Sequence, residues 1–213
     1  MTEPAPQPTT APVAPDKRWG GRLPQLAPAD LDPEQQALYD QLQAGPLPWA
    51  ARAGFATQDD AGHLIGPFNV FLHSPRISRS YNDLIGVEMS QTELSAPVRE
   101  IVILTVGVEW QADYETYAHA AVARAVGLSG TVITAVLNSH TPSDVTAQEA
   151  AAHAFTRQLV RNRRVDDATY ARAESLFGAG GLVDMVHLIG FYLTTCALLN
   201  AFNVPAPTVT EQL

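Results

Sequence analysis

The chain has 213 residues, 46% of them hydrophobic, enough for one domain with a sizeable core and a tail. It carries 22 acids against 13 bases, a formal net charge of −9. So acidic a surface repels phosphate backbones and offers anionic lipid no polybasic patch, so neither nucleic acid nor a membrane is an expected partner. The single cysteine, Cys196, excludes an internal disulfide, a CxxC redox pair and a cysteine-rich metal site.

Residues 1–17, MTEPAPQPTTAPVAPDK, hold too much proline for a helix or a central strand. They are expected to be a disordered tail ahead of one domain over residues 18–213. The start lacks a basic n-region and an apolar h-region, so it does not read as a signal peptide and a cytoplasmic location is expected. Asp32 as cap, Pro33 in the first turn, and Leu38 and Leu42 four apart predict a helix, stopped by Gly45 and Pro46. Residues 46–74 are rich in glycine and proline and lack helical periodicity, so they read as a long loop containing GPFNVFLHSP.

The stretch Pro75 to Met89 reads as a helix with Ile77, Tyr81, Leu84 and Ile85 on one face. Ser95 caps SAPVREIVILTVGVEWQ, which is apolar nearly all round and therefore buried. Its β-branched run fits a strand as well, but the cap, the length and the lack of strand partners favour a helix. ADYETYAHAAVARAVG follows, closed by Gly127, and Ser129 begins a short helix to Asn138. Thr146 and Glu149 form a capping box, and Asp166 or Asp167 caps the next helix. GAGG at 178–181 reads as a helix break. Leu182 to Phe202 is long enough to cross a bilayer, but Asp184, His187 and Asn200 within it favour a buried core or interface helix. No strand alternation and no internal repeat is evident, so the predicted class is all-α.

Three residues could carry chemistry together. Glu115 and His119 are four apart on one helix and share a face. Glu100 sits among Val98, Ile101, Val102, Ile103 and Leu104, where a carboxylate needs a partner or takes up a proton. Two helices folded back to back would bring Glu100 to His119 and give an imidazole oriented by a carboxylate, the construction of a general acid/base. Spacing alone leaves open a purely structural hydrogen bond between them. A second pair, Glu149 and His153, reads as a solvated face. His73 and His187 read as structural. Glu100, Glu115 and His119 are too few to point to a metal, and no nucleotide or hydrolase motif is present.

The span REIVILTVGVEWQADYETYAHAAVARAVGLS, Arg99 to Ser129, resembles the signature region of the carboxymuconolactone decarboxylase and alkylhydroperoxidase D-like family. The matching features are the Arg99–Glu100 start, the apolar helix, and Tyr114, Glu115 and His119. GPFNVFLHSP before this span and LIGFYLTTCALLNAF after it extend the likeness over roughly Arg22 to Val204. The resemblance implies an all-helical fold assembled into trimers or hexamers. It also implies a cofactor-independent lyase, isomerase or hydrolase acting on a small carboxylated or lactone-like substrate.

In that reading His119 is the acid/base, Glu100 its partner, and Glu115 orients substrate or completes the network. Tyr114, Tyr117, Pro67 and Phe68 line the pocket and Asn69 hydrogen-bonds the ligand. The alkylhydroperoxidase D branch carries a CxxC pair where this chain has Ala112 and Glu115, so a thiol peroxidase cycle has no thiolate to start it. A non-catalytic oligomeric scaffold or small-molecule binding protein is the alternative.

Overall fold

The computed structural model describes residues 19–207. The tail expected to be disordered, residues 1–17, lies outside them. The described residues form nine α-helices and no sheet, with one isolated bridge between Gln58 and Leu64. In chain order they are α1 (Pro33–Ala44), α2 (Pro46–Ala53), α3 (Pro67–Leu72), α4 (Pro75–Gln91), α5 (Ala96–Glu109), α6 (Asp113–Ala125), α7 (Gly130–Leu137), α8 (Ala147–Asn162) and α9 (Asp167–Ala201).

Local chemistry sets most boundaries. Asp32 accepts from the Glu34 and Gln35 amides and Gln35 returns the bond, a complete capping box on α1. Thr146 and Glu149 do the same for α8. Asp166 accepts from the Thr169 amide to start α9. The run IVILTV is helical within α5, whose Val98 and residues 100–107 are all buried. Helix α5 is the centre of the molecule and packs against α6, α7, α8 and α9. At Gly107 an added Cβ would lie 3.2 Å from Thr116 and 3.4 Å from Glu115, so the missing side chain lets α5 and α6 approach closely.

One expectation is corrected. Residues 46–74 are not one loop: α2 and α3 lie within them, each opened by its proline at N1. Proline ends one helix and begins the next equally well, and Gly45 serves as the end of α1 and the cap of α2. Helix α3 shows no apolar period because all six of its residues are buried. On α4, Tyr81 turns inward and donates to the Phe191 carbonyl, but Ile77 and Leu84 point outward at 74% and 53% exposure. Ser78 is its one buried residue.

The break expected at GAGG is present. Gly178, at φ 64° and ψ 175°, interrupts the long α9. Beyond it Leu182, Met185, Leu188, Ile189, Cys196 and Leu199 enter the core, while Val183 and Val186 stay exposed. By length and composition α9 is apolar enough to cross a membrane, and 39% of its most apolar window is buried within the chain.

Candidate functional site

Helices α5 and α6 run side by side because both are apolar along their shared seam. That pairing brings Glu100 and His119 together from 19 residues apart. The His119 Nδ1 lies 2.8 Å from Glu100 Oε2. On the other side of the ring Nε2 lies 3.2 Å from Glu115 Oε1, which makes no hydrogen bond. All three side chains are buried. Tyr192 of α9 stands edge-on to the imidazole with ring centres 5.0 Å apart, and Trp49 of α2 tilts over it at 6.5 Å.

The cluster forms one wall of a cavity of about 930 Å³. Helix α5 contributes Ala96, Arg99, Glu100 and Ile103, residues three and four apart on one face. Helix α6 contributes Tyr114, Glu115, Ala118, His119 and Val122 in the same way. Trp49, Phe55, Phe68 and Phe71 add apolar surface to the lining, a form suited to a small organic molecule held by a few polar groups.

Electrostatics couple the three groups. Burial pushes the Glu115 carboxyl up to about 7; His119 opposes the rise and Glu100 adds to it. Burial pulls the His119 imidazole down, but the negative charges of Glu100 and Glu115 and the Glu100 hydrogen bond outweigh it, and the net direction is upward. Near neutral pH the site therefore holds an exchangeable proton between an acid and a base.

This has a consequence for stability. Glu115 has a folded pKa of about 7 against 4.5 for an ordinary glutamate, so the folded state binds its proton more tightly. The resulting stability is present in full below about pH 4.5 and is lost as pH rises through about 7, up to ~3 kcal/mol. Urea titrations from pH 4.5 to 7.5 are expected to show wild-type stability falling across this window, and Glu115→Gln following a flatter course.

Of the residues expected to bind substrate, Pro67, Phe68 and Tyr114 line the cavity. The Tyr114 hydroxyl donates to the Ala56 carbonyl at 2.6 Å, so the ring presents a flank and its oxygen is engaged. Tyr117 is not in the lining: its hydroxyl accepts from the Ala56 amide and its ring meets Tyr114 edge-on. Asn69 is also misplaced by the sequence reading. It is fully buried, donates to the Pro24 carbonyl and accepts from the Leu26 amide, so it fastens the N-terminal segment and does not reach a ligand.

The pair expected on a solvated face is corrected too. Glu149 is in its capping box, but His153 is buried and its imidazole is pushed down to about 4 by burial, with Arg157 adding to the effect. Sequence reasoning missed Trp49, Tyr192 and Arg99 in the cavity wall. Only Arg99 carried a signal, as the neighbour of Glu100.

The positions of a CxxC pair hold Ala112, at the cap of α6, and Glu115. Cys196 is buried in α9, and burial pushes its thiol far up, which keeps it protonated. Among the described residues no group of three or more His, Cys, Asp or Glu is arranged to hold a metal ion.

Solved structures share this architecture. An uncharacterized peroxidase-related protein from Ralstonia eutropha with an alkylhydroperoxidase AhpD core superposes with a TM-score of 0.70 at 17% identity, over 91% of this chain and 95% of that one. The chain has the alkylhydroperoxidase D fold. An uncharacterized peroxidase-related protein from Silicibacter shares the fold with a TM-score of 0.70 at 14% identity, over 95% of this chain and 98% of that one. So does a cysteine-to-alanine variant of the debrominase Bmp8 in complex with 2,3,4-tribromopyrrole, with a TM-score of 0.63 at 12% identity over 79% and 88% of the two chains. No family model matches the sequence, and no curated protein does. Within the alkylhydroperoxidase D fold this chain thus carries a Glu–His–Glu cluster and no thiol at the cavity wall.

Proposed function

We propose that the protein is a lyase, isomerase or hydrolase that moves a proton on a small carboxylated or lactone-like substrate, with its own side chains as acid and base. The observation that carries this reading is the buried imidazole between two carboxylates on the wall of a mostly apolar cavity. His119 is the acid/base, Glu100 holds its Nδ1–H, and Glu115 beside Nε2 stores the proton that the imidazole exchanges with the substrate. Apolar walls strengthen these electrostatics by excluding water. Tyr192 and Trp49 confine the imidazole and flank the space where a substrate would sit.

A debrominase stands among the fold neighbours, and two others are called peroxidase-related. The lining holds no thiol to begin a thiol peroxidase cycle, and the debrominase shares only the fold, at 12% identity. A location in the cytoplasm and assembly into a homo-oligomer, a trimer or a hexamer, complete the proposal. Ile77, Leu84, Val87 and Met89 on α4 and Val183 and Val186 on α9 support the assembly, being apolar and exposed on the single subunit.

Hydrogen–deuterium exchange tests the chemistry even where the final product is unidentified. In D2O the protein is expected to wash deuterium into the carbon α to the carbonyl of a lactone or β-keto acid, read by proton NMR. Exchange at the uncatalysed rate across the whole set would remove the acid–base reading.

A further inference from the structure

Among the described residues that line the cavity, Arg99 is the one lysine or arginine. It precedes Glu100 on α5, its side chain is 11% exposed, and its charge is felt at both His119 and Tyr192. Its Nη1 donates to Glu88 of α4, a carboxylate that is 7% exposed and is not itself part of the lining. A guanidinium has five N–H donors in a planar fork. Among the described residues no second acceptor takes the others, and none of them is sealed away from solvent without a partner. Glu88 Oε2, by contrast, is buried and unpartnered, so Glu88 holds the arginine by one oxygen only.

We infer that Arg99 is the specificity-determining residue of the cavity and binds the carboxylate of a monoanionic substrate through its free donors. One monodentate carboxylate partner leaves most of the guanidinium's donors facing the cavity, where only solvent can meet them until a ligand enters. A ligand carboxylate supplies the missing acceptors in the geometry that guanidinium prefers. Charge count sets the class. The cavity wall already carries Asp83, Glu100 and Glu115, with Glu88 just behind, so a dianionic phosphate meets repulsion that a carboxylate meets only in part. The bound group is therefore a handle, and the carbon to be protonated lies on the His119 side.

This inference deepens the acid–base reading by naming how the substrate is held, and its test does not require turnover. Titration calorimetry with 2-naphthoate and its neutral isostere 2-naphthamide compares wild type, Arg99→Gln, Arg99→Lys and Glu88→Gln. Wild type is expected to prefer the carboxylate by about tenfold or more. Arg99→Gln is expected to erase that preference while leaving amide binding unchanged, and Arg99→Lys to restore part of it. Glu88→Gln, which removes a competing negative charge, is expected to tighten naphthoate several-fold, a change opposite in sign to simple damage.

Equal affinity of wild type for the two ligands, binding of neither, or a preference that survives in Arg99→Gln overturns the inference. If Arg99→Gln does not fold, weaker or unchanged naphthoate binding in Glu88→Gln overturns it. A His119→Gln protein that keeps the carboxylate preference but shows no exchange in D2O, when wild type shows none either, would sink the catalytic reading and leave this one standing.

Discussion

Replacing His119 with glutamine is expected to lower kcat/KM on the substrate by about a hundredfold to ten-thousandfold, the usual contribution of a positioned acid–base group. Glutamine keeps an amide N–H for Glu100 Oε2 and fills a similar volume, so the fold should persist. What it cannot do is accept a proton and give it back. Glu100→Gln is expected to have a smaller effect with a signature of its own. The imidazole loses the carboxylate that helps raise its pKa, so the basic limb of the pH–rate profile moves to lower pH. If the cluster is only a structural hydrogen bond, His119→Gln lowers the melting temperature and no turnover is found to lose.

Gly66→Ala is expected to destabilise the protein by about 3–5 kcal/mol, combining backbone strain with a clash in a packed core. Gly66 sits at φ 63° and ψ −146°, a region that residues with a Cβ avoid. An added Cβ would lie 2.2 Å from Tyr114 Cζ and 2.4 Å from Cε1. The ring cannot retreat easily. Tyr114 is 1% exposed and its hydroxyl is tied to the Ala56 carbonyl. Tyr114 adjoins Glu115 on α6, so the substitution should also disturb the cavity. Gly86→Ala on α4 is the control: nothing lies within 4 Å of the added carbon. Thermal melts of both variants should show a drop of about 10 °C for the first and little change for the second.

The parts of this fold written locally were legible. Caps at Asp32, Thr146 and Asp166 depend on residues three positions away, so their helices begin where the sequence places them. Glu100 announced a partner because a carboxylate amid β-branched neighbours cannot stand alone, and the partner is His119. Contacts between distant elements left no such trace. Trp49 and Tyr192 reach the imidazole from α2 and α9, and nothing in their own segments marks them.

Burial accounts for the differences between sequence and structure. Asn69 has the look of a ligand donor in a long loop, but α3 buries it against the N-terminal segment. His153 shares its helix with a capping glutamate, yet it is buried and its imidazole is held neutral. The outward turn of Ile77 and Leu84 shows the limit of periodicity: an apolar stripe identifies a face without saying which surface covers it.

The decisive experiment is a side-by-side turnover assay of wild type and His119→Gln in chelator-treated buffer, on carboxylated lactones, β-keto acids and an organic peroxide with a thiol reductant. Turnover of a lactone or keto acid by wild type, abolished in His119→Gln with the fold intact and with no reduction of peroxide by either protein, is the expected result. Equal turnover by both proteins, or turnover of peroxide alone, would contradict a proton-transfer role for the Glu100–His119–Glu115 cluster.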